Sequence, residues 1–258
     1  AVLDWMEDYL QTEWQDLKVY CTSVTEQFAT ISVAGPKARD MLAPLVSGID
    51  LSNDAFPFMS MQEGEIAGAP ARIFRISFTG ELSFEINVPA FWGKHVWEAV
   101  MKAGEPYGIT PYGTETMHVL RAERGFIIVG QETDGTVTPF DLGMDWIVSK
   151  KKPDFIGKRS YSRPDTARTD RKQLVGLLVV GDATEVLPEG AQITEVMRGT
   201  PPVPMLGHVT SSYYSACLGH SIAMALIKDG RARIGEELDF IAVDGGGDVD
   251  LAHAFALS

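Results

Sequence analysis

Cysteine is nearly missing from this chain, with two in 258 residues, Cys21 and Cys217. Neither belongs to a C-x-x-C pair, which excludes a zinc ribbon and a thiol-redox motif. Each sits in a short apolar, strand-like stretch and is expected to be a buried, reduced thiol in a cytoplasmic protein. The histidines at 95, 118, 208, 220 and 253 never fall at metal-ligand spacing. No metal site is therefore expected, no G-x-G-x-x-G follows a strand, and no G-x-S-x-G elbow is present. No apolar run approaches the ~20 residues that cross a bilayer, so no membrane partner is expected. Positive charge is also short: 22 Lys and Arg against 35 Asp and Glu leave a net −13. That balance argues against a nucleic-acid surface, since phosphate contacts need clustered cations. An initiator Met and a signal-peptide pattern are both lacking. The opening AVLDWMEDYLQTEWQDL is helically periodic from its first residues, so a piece of a longer polypeptide is expected.

The rest reads as an α+β portion followed by an all-β portion. Residues 18–24 and 27–34 alternate like strands, and Gly35–Pro36 opens the helix PKARDMLAPLV, with Pro at the first helical position. Strands ARIFRISF and LSFEINVP follow, joined through Thr79–Gly80–Glu81, then the amphipathic helix FWGKHVWEAVMKAG and a further helix near 112–124. From 173 onward QLVGLLVVG, AQITEVM, LGHVTSS, HSIAMALI, ELDFIAV and VDLAHAFAL are short alternating runs, the pattern of a small β-barrel. DGGGDVD at 244–250 lacks the ligand spacing of a calcium loop and reads as a hairpin turn between two of those strands. The expected organisation is 1–149 α+β, 150–172 connector and 173–258 barrel.

The connector is where the scarce positive charge collects. Nine Lys or Arg (150, 151, 152, 158, 159, 163, 168, 171, 172) stand against Asp154, Asp165 and Asp170. Such a strip suits either a solvated linker or a landing place for an anionic tail or acidic surface. Upstream, ETMHVLRAERGFIIVGQETDGTVTPFDLGMDWIV sets Arg121, Glu123 and Arg124 before a Gly- and Asp-rich stretch. Cations at a helix C-terminus account for the arginines but not for QETDGTVTPFDLG.

In SFTGELSFEINVP, residues 77–89, alternation puts Phe84, Ile86 and Val88 on one side and Ser83, Glu85 and Asn87 on the other. Periodicity alone makes Glu85 a wet-face residue of a half-buried strand. The segment resembles the S-Y-T-G-E-x-G-x-E-I-x-x-P signature of the folate-binding aminomethyltransferases typified by the glycine-cleavage T-protein. LRAERGFIIVGQETDGTVTPFDLGMDWIVSKKKPDFIGKRS and LGHVTSSYYSACLGHSIAMALI are similar to later segments of that family, in the same order. ETMHVLRAERG, VGQETDGTVTP and VSKKKPDFIGKRS resemble its branch in the α subunit of heterotetrameric sarcosine oxidases. T-proteins carry Arg-Asp where this chain has Met117 and His118, and Tyr where it has Phe78. FIIVGQE has no thiol, unlike the iron–sulfur repair relatives.

The resemblance implies a T-protein-like, partly ferredoxin-like α+β fold truncated at its N-terminus, then a barrel. It implies tetrahydrofolate as cofactor, held by Glu85, Phe78 and Arg121, with flavins and NAD on other parts of a complex. The other subunits of a sarcosine oxidase complex and a small-molecule substrate are the implied partners. The implied reaction passes the one-carbon unit of oxidised sarcosine to tetrahydrofolate, giving 5,10-methylenetetrahydrofolate and glycine. The family's proton-handling Asp lies upstream of the matched region, so no catalytic residue is expected within this chain. Asp4 and Asp8 read as helix-surface residues. A T-protein-like transferase, a dimethylglycine oxidase folate domain and a non-catalytic assembly module remain open alternatives.

Overall fold

The computed structural model describes residues 2–194, 204–243 and 249–257. The chain forms two compact units, Ala1–Pro111 and Tyr112–Ser258. The division precedes the 149/150 boundary expected from composition, because residues 112–149 are tied to the barrel. Among the described residues no helix is long and apolar enough to cross a membrane.

In chain order the first unit contains α1 (Val2–Thr12), β1 (Phe28–Ala34), α2 (Ala38–Leu42), β2 (Val46–Ser47) and β3 (Met61–Ile66). It continues with β4 (Ala69–Phe74), β5 (Ser83–Pro89) and α3 (Gly93–Gly104). The strands make one antiparallel sheet in the order β1-β5-β4-β3-β2. One face is apolar: Ile31, Val33, Ile66, Ile73, Phe84, Ile86 and Val88 are buried there with Met41 and Leu42 of α2 and Val96 and Val100 of α3. Val96 and Val100 lie one helical turn apart, which gives α3 its buried stripe. The turn entering β5 needs Gly80, whose φ of 79° is a conformation that side chains with a Cβ rarely adopt.

Three local expectations change. Residues 18–24 form no strand; Val19 and Tyr20 are exposed, and no described strand pairs with this stretch, so alternation alone has nothing to hold it. The helix expected from Pro36 is five residues long, stopped where Pro44 offers no N–H. β3 was not legible as a strand because Gly64 interrupts its apolar face. A Cβ at Gly64 would stand 2.7 Å from the Ser47 carbonyl oxygen, so close backbone approach takes the place of a core side chain.

The second unit holds α4 (Thr114–Glu123), β6 (Lys172–Val180), β7 (Gln192–Thr194) and β8 (Gly207–Ser215). β9 (His220–Lys228), β10 (Glu237–Val243) and β11 (Val249–Leu257) follow. The six strands close into a barrel, β10-β11-β6-β9-β8-β7. Val175, Leu177, Val179, Ile193, Val209, Ala223, Ala225, Ile227 and Leu238 form its buried core. β10 and β11 pair as far as Val243 opposite Val249. The turn expected at 244–250 lies largely outside the described residues, as does the end of AQITEVM. Cys217 occupies the β8–β9 turn and is exposed, while Cys21 is half-buried in irregular chain; neither thiol is in a strand.

β8 carries an irregularity that sets the outer wall. Its register with β9 slips between Val209 and Ser211, leaving Thr210 as the extra residue of a bulge. Before the bulge Val209 faces the barrel core. After it Ser211 and Tyr213 pair with Met224 and Ile222, which pack with Ala122 of α4. One inserted residue thus turns the polar row of β8 toward the helix.

Candidate functional site

Glu85 lies at the centre of β5, half-buried, with Ser32 directly across on β1 and Phe74 directly across on β4. Directly opposed side chains on one face are close neighbours, with Cβ atoms about 4.5–5.5 Å apart. Two neighbouring polar pairs on this face are already formed. Thr30 donates to Asn87 at 2.6 Å, and Arg72 donates to Glu63 at 2.9 Å while resting 5.4 Å from the Phe28 ring centre. Glu85 makes no hydrogen bond or ion pair among the described residues. A carboxylate has acceptor sites for several donors, so Glu85 keeps its full capacity for a ligand. The short Ser32 side chain stands on one side and the apolar Phe74 ring on the other.

The segment from 75 to 82 leads into this strand. Phe78 is half-buried there, outside regular structure. The hydroxyls of Ser77 and Thr79 are enclosed without a hydrogen-bond partner. An enclosed polar group without a partner costs free energy. Neither Phe74 nor Ser32 was among the sequence-predicted site residues. Their place beside Glu85 follows from strand register, which one sequence does not print.

Arg121 belongs to the second unit and is fully buried. Its Nη1 pairs with Glu132 Oε2 at 2.9 Å and donates to the Phe126 carbonyl at 3.0 Å. Its Nη2 donates to Ser211 Oγ at 2.7 Å and Tyr213 Oη at 3.2 Å. Ser211 Oγ donates to Glu132 Oε1, and Glu132 Oε2 accepts the Ile128 N–H at 2.7 Å. Gln131 adds a bond to Glu189 at 2.8 Å, and Ser215 donates to Glu123 at 2.5 Å. The residue expected to touch the cofactor is thus enclosed in its own unit, pinning α4 and the 126–132 segment to the barrel wall. QETDGTVTPFDLG, unexplained by helix capping, supplies the acid of this pair.

The basic connector divides into paired and open cations. Arg168 binds Asp165 and Asp170, and Arg171 binds Asp141 and Asp165. Burial alone would raise the pKa of Asp141, but hydrogen bonds from Arg171 and Thr138 hold it below the usual carboxylate range. Lys158 donates to the carbonyls of Lys152 and Pro153. Lys150, Lys151 and Lys152 are exposed and make no ion pair among the described residues, and Ser149 Oγ caps the turn that carries them.

Comparison with known proteins assigns the chain to a family whose domain boundary falls later than the division into compact units. The GCVT N-terminal domain pattern matches residues 1–152, and the glycine cleavage T-protein C-terminal barrel domain pattern matches residues 172–249. A sarcosine oxidase subunit alpha from Corynebacterium sp. (strain P-1) is 59% identical over 92% of this chain, which covers 25% of that protein. One from Rhizobium meliloti is 41% identical over 92% of this chain and 24% of its own length. A mouse mitochondrial dimethylglycine dehydrogenase is 32% identical over the same share of this chain, 26% of that protein. The chain therefore spans about a quarter of the length of these curated relatives. The crystal structure of a glycine cleavage aminomethyltransferase T from Bartonella henselae superposes with a TM-score of 0.74 at 20% identity, over 98% of this chain and 64% of that one. That likeness establishes the fold.

Proposed function

This chain belongs to the glycine cleavage T-protein family, and from that premise we propose that it is the tetrahydrofolate-binding part of a sarcosine oxidase α subunit. The observation that carries the reading is Glu85, a half-buried carboxylate left unpaired among the described residues on a face where Asn87 and Arg72 have found partners. A reduced pterin presents an N–H and an amino group side by side, and two carboxylate oxygens accept both. Mounting the acceptor mid-strand, between two paired neighbours, fixes its direction before the ligand arrives. Phe74, directly across from Glu85 on β4, and Phe78, in the segment leading into β5, supply apolar walls. Arg121 holds α4 and the 126–132 segment to the barrel wall through its ion pair with Glu132.

When bound, tetrahydrofolate supplies the nucleophilic nitrogen that accepts the one-carbon unit of oxidised sarcosine, yielding 5,10-methylenetetrahydrofolate and glycine. The chain's own part is to hold the heterocycle in attack geometry and keep out water that would release formaldehyde. No residue of this chain is assigned the proton-handling role, so the chain alone should bind folate and turn over poorly. Flavin chemistry is assigned to other parts of the complex. The degree of likeness favours the sarcosine oxidase reading over a dimethylglycine-oxidising relative or a free T-protein.

The complex with its flavin-bearing partners provides the test. Glu85→Gln should leave sarcosine oxidation intact while shifting the product from 5,10-methylenetetrahydrofolate to formaldehyde. An unchanged product ratio would overturn the assignment.

A further inference from the structure

Arginine cannot shed its charge in a protein, so an enclosed guanidinium needs an anion or a full set of acceptors. Arg75, half-buried just past the end of β4 with its Nε enclosed, has neither among the described residues. Its guanidinium carbon lies 5.2 Å from the centre of the Phe84 ring and 6.0 Å from that of Phe58. Its Nη1 reaches the Ser83 carbonyl at 3.3 Å, and its Nε is enclosed with no acceptor. Burial lowers its pKa, and so does the charge of Arg39. No carboxylate opposes either effect.

Arg39, on α2, spends its donors on neutral acceptors, the Leu51 carbonyl at 2.7 Å and Asn53 Oδ1 at 2.5 Å. Neither arginine makes an ion pair among the described residues. The charge of Arg39, on a separate element, therefore adds to that of Arg75 with no ion pair at either among the described residues. Rings against a guanidinium cover its flat faces and leave its edge, where Nε–H and Nη–H form the fork that grips two oxygens of one anion. The enclosed, unused Nε belongs to that fork. Phe58, 58% exposed, leaves the outer side open to solvent.

We propose that Arg75, between the Phe84 and Phe58 rings and with the charge of Arg39 adding to its own, is the binding site for a small oxyanion, a carboxylate or phosphate, on the helix-bearing side of the first unit's sheet. The site lies on the face opposite Glu85, since the Phe84 ring beside Arg75 belongs to the apolar row of β5. It is therefore separate from the folate reading and does not rest on it.

The test is titration of the 258-residue chain with inorganic phosphate and, separately, glutarate, against chloride at matched ionic strength. Calorimetry should show one saturable site, and the anion should raise Tm where chloride does not. The two arms separate a preference for phosphate from one for a carboxylate. Arg75→Gln and Arg39→Gln should each weaken binding roughly tenfold or more. Arg75→Lys should keep part of the affinity, because the charge stays while the fork is lost. Glu85→Gln should bind the anion like the parent chain. Absence of saturable binding by the folded parent, or undiminished affinity in folded Arg75→Gln, would overturn the proposal. If Arg75→Gln fails to fold, Arg39→Gln and Arg75→Lys decide it by the same criterion.

Discussion

Glu85 and Phe74 stand directly opposite each other on β5 and β4, an unpaired carboxylate beside an apolar ring on one half-buried face. The pairing joins two needs of a flat polar heterocycle: acceptors at its edge and an apolar surface beside it. Phe74→Ala should weaken tetrahydrofolate binding about tenfold, the order expected for a lost aromatic contact, with little change in Tm. Phe78→Ala should weaken it as well, whereas Phe78→Tyr should bind at least as well as the parent. Calorimetric titration of the three variants checks this.

The Arg121–Glu132 pair is fully buried, so removing one partner leaves the other charge without compensation. Glu132→Gln or Arg121→Met should cost the second unit about 3–5 kcal/mol, read from urea unfolding. Deleting Thr210 removes the bulge and should be at least as damaging, because it swings Ser211 and Tyr213 away from Arg121.

His208 gives a pH signature. Burial, together with the Lys172 charge, pushes its pKa below the usual imidazole range, against an opposing pull from Asp134. The unfolded chain takes up this proton near pH 6.5, the folded chain only at lower pH. Between those points the unfolded state binds more protons, so stability should fall as pH drops below about 6.5. His208→Gln should flatten that part of the profile in urea midpoints measured across the range.

Legibility in the sequence followed the locality of each cause. Phe84, Ile86 and Val88 announce their burial by alternation, and the barrel strands from 172 onward read the same way. β3 stayed hidden because its core position is a glycine chosen for backbone approach. Residues 18–24 looked like a strand because alternation is local while pairing is not. Arg121 could be singled out as unusual, yet its partner Ser211 lies 90 positions away and reaches it only through a one-residue bulge. Glu85 drew attention as a charge among short neighbours. That it is unpaired emerged only once Asn87 and Glu63 were seen with their partners.

The most direct measurement is calorimetric titration of tetrahydrofolate into the folded chain and its Glu85→Gln variant. The account predicts one binding site in the parent chain and an affinity roughly ten- to a hundredfold lower in the variant, the loss expected for hydrogen bonds to a charged group. Equal affinity in two equally folded proteins would contradict it.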